Sequence, residues 1–177
     1  MKKAVFLDKD GTLVENVHYN ADPDKVRLTP YAAEALKQLQ DEGFLLIVVS
    51  NQSGIALGYF SEADMQLIKE TISGMLEDER VFLHDFYYCP HLPEECECRK
   101  PKPGMLLKAS EEYNIDLSQS WMIGDILDDV EAGRQAGCRT ILIDKGNETE
   151  WLLRPDRSPH FMVDDLKDAA AIILKYR

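Results

Sequence analysis

Ala4-Val5-Phe6-Leu7-Asp8-Lys9-Asp10-Gly11-Thr12 is the stretch that decides the fold. Four apolar residues, β-branched and aromatic among them, run straight into two acids and a glycine. A short apolar run bounded by Gly reads as a buried strand. Asp8 and Asp10 stand two apart, so on an extended chain they start on the same side. Close carboxylates repel, and keeping both ionised calls for a cation or a shared proton. Gly11 permits a sharp turn directly after them. Open α/β sheets bind ligands at the carboxyl ends of their strands. One turn therefore places a nucleophile, a proton carrier and a Mg2+ site together.

Outward from this strand, apolar runs alternate with helical patterns. Strands are expected over Ala4–Leu7, Phe44–Val49, Asp85–Tyr88, Ser120–Ile123, Thr140–Ile143 and Phe161–Val163. Helices are expected over Tyr31–Glu42, closed by Gly43, and from the Ser61 cap to Glu79. Three more run from Pro103-Gly104 to Tyr113, over Leu127–Ala136 before Gly137, and from Asp164-Asp165 to Lys175. The alternation implies an α/β fold over 1–177, a parallel sheet covered by helices on both faces. Irregular stretches at Leu13–Thr29, Cys89–Pro103 and Lys145–His160 are where a site would be built.

The 177 residues suit one domain with a full apolar core. A net charge of −12 argues against nucleic acid, whose recognition needs a basic footprint. Small phosphorylated substrates stay open, because local cations outweigh a distant acidic surface. No apolar stretch reaches spanning length and the N-terminus enters a strand at once, so no membrane and a cytoplasmic location are expected. An acidic chain of this size is compatible with a monomer. Three of the four cysteines crowd into one loop, which in a cytosolic chain reads as metal binding rather than disulfides.

Two constellations carry chemistry. Asp8, Ser50 and Asp125 each sit at or just past the end of an expected strand, although Asp and Ser are also preferred helix caps. With the first strand central and the second and fourth beside it, all three converge at a topological switch point. The other constellation is the loop 89–98, where Cys89, His91, Cys96 and Cys98 offer three thiolates and an imidazole to a tetrahedral Zn2+. All four positions are filled by protein, so that zinc is expected to be structural. Two prolines and three acids leave the loop little to bury, so metal would hold its shape. The loop runs into Arg99-Lys100-Pro101-Lys102, and a braced loop can hold a cation at a phosphate. Residue chemistry alone does not choose between Lys100 and Lys102.

Asp8-Lys9-Asp10-Gly11-Thr12, Ser50-Asn51-Gln52, a Lys before a Pro, and Gly124-Asp125-x-x-x-Asp129 together resemble the haloacid dehalogenase superfamily of phosphatases. The resemblance covers nearly the whole chain, in order. It implies a Rossmann-like sheet of order about 3-2-1-4-5 and no separate cap domain. It makes Asp8 the nucleophile that forms an aspartyl-phosphate and Asp10 the acid, then the base. Ser50, Asn51 and Lys100 would bind the phosphoryl group, with Lys102 in reserve. Asp8 and Asp125 would give carboxylates to Mg2+, and Asp10 its backbone carbonyl. Dehalogenases of the superfamily lack the second acid, so the pair favours phosphoryl chemistry.

The zinc loop narrows the resemblance to two branches, the D-glycero-D-manno-heptose-1,7-bisphosphate 7-phosphatases and the histidinol phosphatases. Asn51-Gln52-Ser53-Gly54-Ile55-Ala56 resembles the heptose branch, and the short His91-to-Cys96 spacing the other. Gln52, Ser53, Arg99 and Tyr19 are the expected substrate contacts. Two departures fall at substrate positions. Ile126 stands where the heptose branch has Lys, and only Tyr19 of Asn16-Val17-His18-Tyr19 matches its Asp-His-Gly-Tyr stretch. The expected reaction is Mg2+-dependent hydrolysis of a small phosphorylated metabolite, most directly a heptose bisphosphate at its 7-phosphate. A phospho-acceptor signalling domain is the rival of another class, and Asp10 argues against it. A non-catalytic zinc module is the third reading.

Overall fold

β1 (Ala4–Leu7) is buried at all four residues, and its side chains divide between two cores. Val5 and Leu7 point into one, Ala4 and Phe6 into the other. This is the period-two alternation of a strand covered on both faces, and it explains an apolar run with no polar partner residues. β2 (Leu45–Asn51) repeats the pattern, with Leu46 and Val48 on one side and Ile47 and Val49 on the other. A computed structural model describes residues 1–177.

Four further strands are β3 (Asp85–Cys89), β4 (Trp121–Gly124), β5 (Arg139–Ile143) and β6 (Phe161–Val163). They join one parallel sheet of order β3-β2-β1-β4-β5-β6. β1 is central as expected, paired with β2 through Leu7↔Val48 and with β4 through Leu7↔Ile123. The expected order holds, and β6 extends it beyond β5.

Helices α1 (Ala32–Asp41), α2 (Glu62–Asp78) and α5 (Leu166–Lys175) cover the Val5/Leu7 face. Helices α3 (Gly104–Tyr113) and α4 (Leu127–Ala136) supply Met105, Leu106, Ala109 and Ala132 to the other. Ser61 caps α2 in a reciprocal pair with Asp64, and Gly137 ends α4 in the left-handed region. No helix is long and apolar enough to cross a membrane.

Several boundaries differ from the expectation, most by a single residue, as where β4 runs Trp121–Gly124 and β5 starts at Arg139. β2 runs on to Asn51 and β3 to Cys89, because Ser50↔Tyr88 and Asn51↔Cys89 continue their ladder. The stretch Leu13–Thr29 is no open loop. Its ends meet at an antiparallel Val14↔Leu28 bridge, with Thr29 N donating to Leu13 O, and Pro23–Lys25 form a turn of 3-10 helix.

The central strand is tied at its start by a buried hydroxyl. Ser120 Oγ accepts from Ala4 N at 3.0 Å and donates to Asp116 O at 2.6 Å. Ser120→Ala leaves that buried N–H without its acceptor, which costs about 1–3 kcal/mol. Urea unfolding should show a lower midpoint at unchanged slope. An unchanged midpoint would show that the bond carries no net stability.

Candidate active site

The turn after β1 is built from backbone bonds. Leu13 N and Val14 N both donate to Lys9 O, and Gly11 N to Val14 O. Gly11 has φ +83, and a Cβ there would lie 2.2 Å from Asp125 Oδ2. Only glycine lets this turn approach the end of β4.

Asp8 and Asp10 line one cavity of about 200 Å3 with Asn16, Asn51, Lys100, Asp125, Ile126, Asp129 and Asn147. Asp8 Oδ1 accepts from the Lys100 ammonium at 2.6 Å. The same ammonium donates to Asp129 Oδ1 at 2.6 Å and to the Val49 carbonyl at 2.8 Å. Lys100 is placed from its own backbone: its N–H and C=O bond the Asn51 side chain at 3.0 and 2.9 Å. Lys102 lies outside the cavity, its ammonium on Cys96 O and Glu97. Geometry thus separates two lysines that residue chemistry leaves equal.

Asp10 is the more exposed acid of the pair. Its Oδ1 accepts from Lys9 Nζ at 2.7 Å and its Oδ2 from Gln52 Nε2 at 3.1 Å. Gln52 also donates to Ser50 Oγ at 2.8 Å. Ser50 is buried, with its Oγ next to the Gln52 amide. Asn51 is on the cavity wall. A smaller hollow of about 130 Å3 adjoins through Asp10, Asn16 and Asn51 and is lined by His18, Tyr19, Gln52 and Ser53. There Tyr19 meets Tyr59 edge-on, ring centroids 4.8 Å apart. Arg99 lies beyond Lys100 in a third hollow with Lys102 and Asp128, its guanidinium on His91 O at 3.3 Å.

One carboxylate oxygen from each of Asp8, Asp125 and Asp129 lies within 4.8 Å of the others. Their duties differ. Asp129 spends Oδ1 on Lys100 and Oδ2 on the N–H groups of Asp125 and Ile126, which fixes the start of α4. Asp125 bonds only the Asn147 amide, at 2.8 Å through Oδ2. Asp8 keeps Oδ2 unbonded, and the Asp10 carbonyl accepts no hydrogen bond. Burial drives the Asp125 pKa up to about 8, with Asp8 and Asp129 adding repulsion. Burial likewise raises Asp8, against the pull of Lys100. Burial works against the Lys100 charge too, yet Asp129 and Asp8 outweigh it and hold its pKa above the usual lysine range. Three carboxylates face one ammonium, so with all ionised the cluster is short of two positive charges. Oxygen donors and surplus negative charge fit Mg2+.

Cys89, His91, Cys96 and Cys98 also come together as one group. Cys98 Sγ lies 2.9 Å from Cys89 and 3.3 Å from Cys96, and His91 Nδ1 lies 3.4 Å from both Cys89 and Cys98. Four soft donors around one point fit a tetrahedral Zn2+. The loop abuts α3, where a Cβ on Gly104 would lie 2.2 Å from Glu97 O.

Sequence reasoning gives no role to Lys9 or Asn147 and meets Asn16 only as a departure at a substrate position. Lys9 is almost fully buried and reads as a surface cation by composition. Asp144-Lys145-Gly146-Asn147 signals a turn, with Gly146 at φ +82, but nothing local says what it reaches.

Residues 97–169 match the family described as "HAD-hyrolase-like". The chain is similar to the D-glycero-beta-D-manno-heptose-1,7-bisphosphate 7-phosphatase of Haemophilus ducreyi, 49% identical over 147 residues, 78% of this chain and 81% of that protein. It is similar to the protein of the same name from Escherichia coli K12, 38% identical over 167 residues, 85% of this chain and 87% of that one. Among solved structures, the D,D-heptose 1.7-bisphosphate phosphatase from B. bronchiseptica, complexed with magnesium and phosphate, matches with a TM-score of 0.88. That match is 29% identical and covers 99% of each chain.

The raised pKa of Asp125 links stability, pH and cation. An acid with a raised folded pKa weakens the metal-free fold as pH climbs from its ordinary value of 3.8 through about 8. A cation that needs the carboxylate binds more tightly over the same window. Mg2+ should therefore raise Tm more at pH ~8.5 than at pH ~6. Equal increments at both would break the linkage.

Proposed function

The chain belongs to the haloacid dehalogenase-like phosphatases, and on that premise we propose that it removes the 7-phosphate of a D-glycero-D-manno-heptose 1,7-bisphosphate through an aspartyl-phosphate on Asp8. The observation that carries the reading is the placement of Asp8: one oxygen held by the Lys100 ammonium, the other unbonded, in a cavity shared with Asp10. The sugar is taken from the names of the relatives at 38–49% identity.

Asp8 Oδ2 attacks phosphorus, and the bond to the sugar oxygen breaks. Asp10 gives that oxygen a proton, because an alkoxide leaves poorly without one. Asp10 then takes a proton from water, which attacks the aspartyl-phosphate and returns Asp8 as a carboxylate. Lys9 and Gln52 donate to Asp10 and hold its side chain at the cavity rim. Covalent catalysis divides one hard displacement into two easier ones. Asp8, Asp125 and the Asp10 carbonyl would hold Mg2+, which when bound supplies positive charge between carboxylate and phosphate. Lys100 adds a fixed ammonium at the same place. Asn51, on the wall, and Ser50, at the end of β2, bind the phosphoryl group with it. Tyr19 and Ser53 border the adjoining hollow, where the sugar would lie, and Arg99 waits beyond Lys100 for the second phosphate.

Residues 1–177 serve as one hydrolase domain. The Cys89–Cys98 loop would hold structural zinc, and a thiolate set of this kind persists in a reducing compartment such as the cytoplasm. Histidinol phosphate is the second substrate to test, because Ile126 lines the cavity where the heptose branch has Lys.

Asp8→Asn should cut kcat by at least ~1,000-fold with the fold intact, as loss of a nucleophile does. Unchanged hydrolysis of a generic phosphate ester by that variant would sink the mechanism. Steady-state rates on both heptose bisphosphate anomers, heptose monophosphate and histidinol phosphate test the substrate; a preference for histidinol phosphate would overturn the sugar assignment. Chelating zinc should lower Tm and raise KM, since Lys100 follows Cys98 by two residues. A zinc-free protein with wild-type Tm and KM would remove the metal from the account.

A further inference from the structure

We propose that Asn147, on the loop after β5, is a positioning residue that aims Asp125 at the divalent cation of the reaction. The inference rests on the phosphatase reading above and assigns it a residue from outside the four motifs.

Asp125 stands among acids, with Asp8 and Asp129 both close and both raising its pKa. Those two neighbours share the Lys100 ammonium. Asp125 has no ionic partner. Its side chain has one hydrogen bond, from Asn147 Nδ2 to Oδ2 at 2.8 Å. A carboxylate with a free torsion would turn away from its neighbours toward water. The amide fixes that torsion and leaves Oδ1 without a partner.

The choice of an amide matters electrostatically. A lysine at this place would orient Asp125 equally well but would cancel its charge. A neutral donor orients the carboxylate and preserves the charge that draws a cation. Partners of this kind, one step removed from a metal, set ligand direction and basicity.

The contact is also enclosed. A Cβ on Gly11 would lie 2.2 Å from Asp125 Oδ2 and 2.7 Å from Asn147 Nδ2, so the bare Gly11 Cα packs directly over the bond. The loop itself is anchored twice. Glu148 Oε2 accepts from Leu127 N at 2.7 Å, in the first turn of α4. Farther on, Arg157 pairs with Asp128 at 3.1 Å and with Glu131. Asn147 and Asp125, 22 residues apart in sequence, are thus held together by a loop tied to the start of α4.

Titration calorimetry of Mg2+ into the chelator-stripped full chain tests this, alongside steady-state kinetics at limiting and saturating Mg2+. Asn147→Ala and the near-isosteric Asn147→Leu should raise the Mg2+ Kd by about 10–100-fold. Their kcat should fall steeply at limiting Mg2+ and recover most of the wild-type value at saturation. Glu148→Ala loosens the same loop without touching the amide; it should lower Tm and shift the Mg2+ Kd less than about threefold, well below that range. Wild-type Mg2+ affinity in both Asn147 variants overturns the inference and leaves the reaction standing. Equal weakening by Glu148→Ala also overturns it, because loop placement would then explain the effect. A wild-type chain that binds no Mg2+ overturns both this inference and the proposed reaction.

Discussion

The buried ammonium of Lys100 is the interaction on which the site depends. Asp8 and Asp129 enter the fold almost without solvent, and two carboxylates cannot stay charged there alone. Lys100 Nζ meets each at 2.6 Å and spends its third donor on the Val49 carbonyl. Every donor has an acceptor, which is the condition under which a buried ion pair is tolerable. The ammonium also joins three regions of the chain: the end of β1, the end of β2 and the start of α4. Its own backbone is held by Asn51, and the segment before it by the thiol and imidazole cluster.

Around this pair the acids divide the labour by their partners. Asp129 has no oxygen left after bonding Lys100 and two backbone N–H groups, so it organises the loop. Asp8 and Asp125 each keep one oxygen unbonded. Asp10 sits at the rim between Lys9 and Gln52, the most exposed of the four. Residue type alone would make the four interchangeable; burial and hydrogen-bond count make them distinct.

Much of this was legible in the sequence. β1 was placed to the residue because burial on both faces leaves an unbroken apolar run that only a central strand explains. Gly137 marked the end of α4 for a local reason, its left-handed backbone. The cluster of Cys89, His91, Cys96 and Cys98 was legible from spacing, since all four lie within ten residues. Less was visible where a contact spans distant segments. The extension of β2 to Asn51 comes from pairing with β3, which nothing local in β2 announces. Lys100 could be preferred to Lys102 only through the family resemblance, because a lone lysine carries no sign of burial. Asn147 carried no sign at all: its meaning lies in Asp125, and no periodicity or cap relates the two.

The distance between Asp8 and Lys100 along the chain has a consequence during synthesis. The two are 92 residues apart. A nascent chain that has emerged as far as β3 holds its most apolar strand joined to a carboxylate whose counter-charge does not yet exist. The neighbour β4 is also still to come, so β1 has only one edge paired. Parallel strands joined by long crossovers already fold slowly, because loop closure precedes any reward. Here the electrostatics add a second reason to wait. The amino-terminal half has no stable way to seal the end of β1 by itself, and Asp8 has no buried counter-charge until the second half of the molecule arrives with Lys100.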